Sequence, residues 1–268
     1  MRSVFDHDKR SVVEAVRAQR ARTLGLLERI DEQDWETIVT PGWRVREVAA
    51  HLIVTDEDAL TGRMLKLGLR RVPVEALERW NDQQVGRWAD KSIPAILHAL
   101  DVWGRRMTRI ASLVPAAAAR RRMTTPLGRV SLSWLGMMRV FDEWIHDEDI
   151  RRALQLPSDD GAEVVEPVAR QLFAVIPIQT VDRIPGGATG RVTFRITDLD
   201  IPTFGLDLDR RTFGLGMEAD VEIAAPAARL VMVAAGRDPW RAVEADGGLC
   251  VTGERKVAQV VLDALLAV

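Results

Sequence analysis

Apolar residues return every three or four positions through the first 155 residues. Beyond a Pro157-Ser158-Asp159-Asp160-Gly161 break, that spacing gives way to stretches of strict alternation. The first period lines one face of a helix and the second lines one face of a strand. Residues 8–30 carry Val12, Val13, Val16, Leu24, Leu26 and Leu27 at helical spacing. A break runs from Asp34-Trp35 through Thr40-Pro41-Gly42. A second helix is expected over about 44–69, with Val45, Val48, Ala49, Leu52 and Ile53 as its stripe and Pro73 beyond it. A third spans about 93–114 and is stopped by Pro115. A fourth runs over about 131–154, ahead of Pro157. A shorter helix fits near Val74–Arg87. Four long helices with apolar stripes predict a four-helix bundle.

After the break a helix is expected over 162–176, then strands at 191–196 and 219–223. Gly186-Gly187 and Asp198-Leu199-Asp200 supply turns, and helices follow at about 226–235 and 254–266. The expectation is an α+β chain with two domains, a helical bundle over 1–157 and a small α+β domain over 158–268.

Composition narrows the function. With 47% hydrophobic and 28% charged residues, the 268-residue chain is an ordinary globular protein. A net charge of -2 gives no polyelectrolyte signal, and Arg70-Arg71 and Arg120-Arg121-Arg122 are short runs, which argues against nucleic-acid binding. The single cysteine, Cys250, excludes an internal disulfide and a cysteine-cluster metal site, and fits a reducing compartment. It lies in a strand-like stretch and reads as a buried hydrophobe. The MRSVFDHDKR start has no apolar core, and no run approaches the ~20 residues that span a bilayer. A soluble cytoplasmic protein without membrane contact is expected.

Chemistry concentrates on the fourth helix. At 100° per residue, Leu135, Met138, Ile145, Ile150 and Ala153 share a face, and Asp142, His146 and Asp149 point into it. A carboxylate in apolar surroundings must be paired, hydrogen-bonded or metal-bound. Asp142 and His146 stand at i and i+4, so both could hold one ion; they could equally form a buried hydrogen-bonded pair. His51, beside Val48 and Leu52, reads alone as a core histidine. His7 and His98 read as surface or structural residues. Trp43, Trp80, Trp134 and Trp144 read as bundle packing.

Two stretches carry a resemblance. Thr40-Pro41-Gly42-Trp43-Arg44-Val45-Arg46-Glu47-Val48-Ala49-Ala50-His51-Leu52 resembles the PGW-x-V-x-[DE]-x-x-x-H-L signature of the mycothiol-dependent maleylpyruvate isomerase family. That family lies within the DinB-like metalloprotein superfamily. The stretch Phe141-Asp142-Glu143-Trp144-Ile145-His146-Asp147-Glu148-Asp149-Ile150-Arg151 is similar to the family's second signature, a carboxylate and a histidine followed by Asp-[Ile/Leu]-Arg. Trp80-Asn81 is similar to an element between them. Ala234-Ala235-Gly236-Arg237 with Gly253-Glu254 resembles, more loosely, the family's sterol-carrier-like C-terminal domain.

The resemblance implies a DinB-like bundle in which His51, Asp142 and His146 hold a divalent metal, usually zinc. Isomerase-type members have Glu where this chain has the shorter Asp142. Three ligands with a fourth position open is the arrangement of a catalytic zinc, and the open position takes a thiolate or water. The resemblance makes mycothiol the thiol. Asp149 is expected to orient a ligand histidine, with an ion pair to Arg152 as the alternative. Asn81 would line the cofactor pocket or cap a loop. Arg237 would hold substrate or merely end a helix. The implied protein is a metal-dependent isomerase or thiol transferase. Its partners would be a low-molecular-weight thiol and an electrophilic small molecule, and it would be a monomer or homodimer. A non-catalytic metal or small-molecule binder and a metal-dependent hydrolase are the alternatives.

Overall fold

Helix boundaries in the computed structural model follow local chemistry. It describes residues 7–68, 72–88 and 90–265. The chain divides into two units, one ending at Asp159 and one beginning at Asp160. In the first, α1 (Lys9–Leu27) starts where the Asp8 carboxylate accepts from the backbone N–H groups of Arg10 and Ser11. Strands β1 (Ile38–Thr40) and β2 (Trp43–Arg44) make a small hairpin. Its turn needs Gly42, whose φ is +88°. The break read at Pro41-Gly42 is therefore a structured hairpin, and it delivers Trp43 to the head of the next helix.

That helix, α2 (Val45–Thr61), begins where Glu47 accepts from the Arg44 N–H at 2.9 Å. It ends at Gly62, whose φ of 71° takes the backbone out of the helix. The expected helix over 44–69 is thus eight residues too long. A single-turn helix follows at Arg63–Leu67, and residue 69 and the Arg70-Arg71 pair lie outside the described residues. Next come α3 (Val74–Val85), α4 (Ile93–Leu113) and a short α5 (Ala116–Ala119). The hairpin of β3 (Arg122–Thr125) and β4 (Gly128–Ser131), which the sequence did not suggest, leads into α6 (Leu132–Ala153). The Ser131 hydroxyl accepts from the Trp134 N–H to start α6.

The four long helices form the bundle. α1 packs on α6 and α4, and α4 packs on α2, while α2 and α6 approach less closely. One core cluster joins Leu26, Leu27, Val48, Leu52, Leu100 and Ile150. α6 differs from its expected one-sided form. From Glu143 to Ile150 every residue is buried, including Glu143, Asp147 and Glu148.

The second unit opens with α7 (Ala162–Gln179), in which Val164, Val165, Val168, Ala169 and residues 171–176 are buried. A five-stranded sheet follows, in the order β7 (Thr212–Leu215), β6 (Phe204–Asp207), β5 (Arg191–Ile196), β8 (Val221–Ala225), β9 (Cys250–Gly253). The central β5–β8 pair is parallel and the other pairs are antiparallel. Helices α8 (Ala227–Ala234), α9 (Trp240–Ala245) and α10 (Arg255–Ala264) complete it. Phe173 of α7 stacks on Phe204 of β6 at 5.2 Å. Cys250 is exposed, contrary to the buried-hydrophobe reading. It stands on the edge strand β9, whose burial pattern is open to solvent, so strand alternation does not enclose it.

No described helix is long and apolar enough to cross a membrane.

Candidate metal centre

Between α2 and α6 the space left by their wider approach is filled by ionisable side chains. His51 projects from α2, and Asp142 and His146 project from α6, one turn apart. One donor atom from each of the three lies within 4.8 Å of the others. His51 Nε2 is 3.5 Å from Asp142 Oδ2, and His146 Nε2 is 3.7 Å from Asp142 Oδ1. The imidazoles meet edge to face at 5.0 Å between centroids. Trp43, brought in by the β1–β2 hairpin, lies 5.1 Å from the His51 ring and 6.2 Å from the His146 ring. Its indole N–H donates to Asp82 of α3 at 3.0 Å. Trp43 thus walls the site as well as packing on the core.

Electrostatics fix the charge states. Burial is the largest influence on His51 and lowers its pKa below the usual value, which keeps the ring neutral; Asp142 opposes this. Burial would raise Asp142, but the neighbouring imidazoles and the Arg139 guanidinium outweigh it and hold the carboxyl far below the ordinary range. Arg139 donates to Asp142 Oδ2 at 2.5 Å. The Nδ1 atoms of His51 and His146 are buried with no hydrogen-bond partner among the described residues. Asp149 Oδ2 lies 3.4 Å behind His146 Nδ1, at ion-pair distance but not aligned as a hydrogen bond.

The remaining sequence candidates are placed as follows. Asn81 is half-buried on α3, next to the Asp82 that receives the Trp43 N–H. Arg237 belongs to the second unit. It follows Gly236 (φ 69°) at the end of α8, where its N–H donates to Met232 O and its Nη1 to Ala235 O at 3.1 Å. His98 is exposed, as read, and His7 is half-buried. Trp134 and Trp144 are core residues, and Trp80 donates to the buried Asp58.

Residues 16–151 match the family described as the mycothiol maleylpyruvate isomerase N-terminal domain, just over half of the chain. The chain belongs to the mycothiol maleylpyruvate isomerase family. Two solved structures agree with this family in fold. One is a histidine-to-alanine mutant of the mycothiol-dependent maleylpyruvate isomerase, with 17% identity, a TM-score of 0.62 and coverage of 95% of this chain and 97% of that one. The other is the unmutated isomerase, with 18% identity, a TM-score of 0.59 and the same coverage. A sterol carrier protein 2 from Yarrowia lipolytica covers 36% of this chain and 88% of its own, at 18% identity and a TM-score of 0.32, too low to define a shared fold. Among curated proteins, none matches the sequence.

Sequence reasoning missed Arg139, Trp43 and the residues that brace them. Arg139 stands one turn before Asp142, an i, i+3 spacing that would have flagged the pair. Trp43 lies within the signature, where its helical context reads as packing.

Proposed function

We propose that this family member is a divalent-metal-dependent, mycothiol-using isomerase or thiol transferase acting on an electrophilic small molecule such as maleylpyruvate. His51, Asp142 and His146 are its metal ligands. One observation carries the metal reading: two imidazole Nε2 atoms and a carboxylate converge from two helices at spacings that suit co-ligands. Hydrogen bonds would need about 2.7–3.2 Å, whereas the N···O separations are 3.5 and 3.7 Å. One donor atom from each of the three residues lies within 4.8 Å of the other two, a spacing from which they can converge on one ion.

A metal here would supply a Lewis-acid position at which a thiol gives up its proton at neutral pH. The chain's own residues prepare that position. Burial keeps His51 neutral, as a ligand must be. Arg139 and the imidazoles keep Asp142 ionised. Trp43 shields both rings from water, and Asp149 stands behind His146 to set its orientation. Asn81 is assigned to the thiol cofactor and Arg237 to the substrate carboxylate, both on the resemblance.

Calorimetry of mycothiol binding in two buffers of different ionisation enthalpy tests the thiol assignment. Metal-loaded protein should bind and release a proton, and apo protein should not. Equal binding to both forms would overturn it. Arg237→Lys should lower turnover of a carboxylate substrate with metal content unchanged, because an ammonium cannot reproduce a two-point guanidinium contact. Unchanged kcat/KM would remove Arg237 from the site.

A further inference from the structure

Arg139 is half-buried among acids, and its guanidinium is held on several sides. Its Nε donates to Asp56 Oδ1 at 3.1 Å, and its Nη2 lies 3.5 Å from Leu52 O and 3.7 Å from Glu143 Oε2. Asp56 is itself fixed by Arg20, whose Nη2 reaches it at 2.9 Å. Arg20 grips Glu143 through two hydrogen bonds of 2.7 and 3.0 Å and donates to Leu100 O at 2.8 Å. These contacts tie α1, α2, α4 and α6 together. A planar fork restrained at several nitrogens has little freedom to turn. Its remaining donor, Nη1, is aimed at Asp142 Oδ2 at 2.5 Å.

Consequently the two oxygens of Asp142 are not equivalent. Oδ2 carries a charge-assisted hydrogen bond from a fixed cation and lies 3.5 Å from His51 Nε2, while Oδ1 lies 3.7 Å from His146 Nε2. A free carboxylate can give a metal one oxygen or both. If both bind, the carboxylate takes up the position an incoming ligand would need. Asp142 and Arg139 stand one turn apart on the same helix, so the restraint travels with the ligand.

We infer that Arg139 is a positioning residue that holds Asp142 to a single ligating oxygen and thereby keeps one coordination position free for an exogenous thiol. The inference rests on the assignment of His51, Asp142 and His146 as metal ligands. Arg139 touches neither substrate nor thiol in this role. It acts through Asp142.

The test uses cobalt(II) as a visible probe of coordination number and 2-mercaptoethanol as a simple thiol, on the full chain. Wild-type protein should take up one equivalent of cobalt, show the intense visible bands of a low-coordinate ion, and develop a thiolate charge-transfer band on titration with the thiol. Arg139→Gln should still take up one equivalent, but with weaker bands typical of higher coordination. It should need about tenfold more thiol for half-saturation. Arg139→Lys keeps the charge and loses the fork, and should lie between the two. A wild-type spectrum and wild-type thiol affinity in Arg139→Gln would overturn the inference while leaving the metal assignment intact. Failure of the wild-type protein to bind cobalt, or cobalt binding that survives His51→Ala and His146→Ala together, would overturn the metal assignment and the inference with it. If circular dichroism shows Arg139→Gln unfolded, Arg139→Lys decides, and a wild-type spectrum and thiol response in that folded variant overturns the proposal.

Discussion

Two buried polar clusters sit side by side in the bundle, and they are satisfied to very different degrees. In one, Arg20 meets Glu143, Asp56 and a backbone carbonyl at 2.7–3.0 Å. In the other, His51, Asp142 and His146 face one another at 3.5 and 3.7 Å, and both imidazoles have an Nδ1 with no hydrogen-bond partner among the described residues. Folded chains satisfy buried polar groups almost everywhere, because an unpaired one costs about 1–3 kcal/mol. The same helix, α6, supplies both clusters, so poor packing of that region does not explain the contrast. The first cluster is complete as protein alone. The second is the group assigned above to a metal, with its imidazole Nε2 atoms and carboxylate facing one another beyond hydrogen-bond distance. Arg139 joins the two, through Asp56 on one side and Asp142 on the other.

The largest expected effect separates stability from binding. Arg20→Ala should destabilise the chain by about 3–5 kcal/mol in urea unfolding, because it leaves Glu143 and Asp56 as buried charges without their shared cation. A loss under about 1 kcal/mol would show that the first cluster is not the structural one. His146→Ala should do the opposite. Its apo stability should fall far less than that of Arg20→Ala, while metal affinity drops by about 100-fold or more, equivalent to about 2.7 kcal/mol. Metal analysis of dialysed protein checks this. A full equivalent of tightly held metal in the variant would remove His146 from the ligand set.

The two clusters also differ in how much the sequence disclosed. Asp142 and His146 were legible from their i, i+4 spacing on an apolar helix, and His51 joined them through its signature. The first cluster was not legible. Arg20 is 36 positions from Asp56 and 123 from Glu143, and no local pattern announces such a pairing. Charged residues on a helix are ordinarily read as a solvated face, so the burial of Glu143 and Asp147 came only with the structure. The fold divides in a similar way. Long periodic helices such as α1, α4 and α6 were readable to within a few residues. β6 and β7 escaped because each is four residues long and interrupted by glycine, leaving too little alternation to see. α9, at six residues, is too short for a helical stripe.

Acid should act on the second cluster first. The folded pKa of His51 is depressed by burial, so as pH falls through about 6.5 the unfolded chain takes up the proton before the folded one. This contribution to apo stability is fully present above about pH 6.5. It is lost as pH falls toward the depressed folded value, with a slope of up to about 1.4 kcal/mol per pH unit. Asp142 is depressed from a carboxylate value and adds its own loss only at lower pH, below about 3.9. Urea titrations at pH 7.5 and 5.5 should show a smaller drop in His51→Asn than in wild type. Metal affinity should fall as the pH drops and ligand histidines take up protons. Equal drops in the two proteins would mean that His51 is not held neutral by its surroundings.

The smallest expected effect has the opposite sign and comes from the residue beside His146. Asp147 is buried, and its Oδ2 accepts from Gln19 Nε2 at 2.7 Å and Thr23 Oγ1 at 3.1 Å. Its Oδ1 has no partner among the described residues. Burial, reinforced by the nearby Glu143 charge, raises its pKa well above the ordinary carboxylate value. A raised carboxyl stays protonated in the folded chain after the unfolded chain has ionised. Its contribution to stability is therefore full below about pH 3.9 and is lost as pH rises toward the folded pKa. Asp147→Asn keeps an oxygen for Gln19 and Thr23 and removes the ionisation. The variant should gain on wild type as pH rises from 5 to 8, by about 1 kcal/mol or less at the upper end. The gain tilts its stability profile the opposite way from that of His51→Asn. Parallel wild-type and Asp147→Asn profiles across that range would show that Asp147 is ionised and compensated in the fold, and would move it into the satisfied cluster with Glu143.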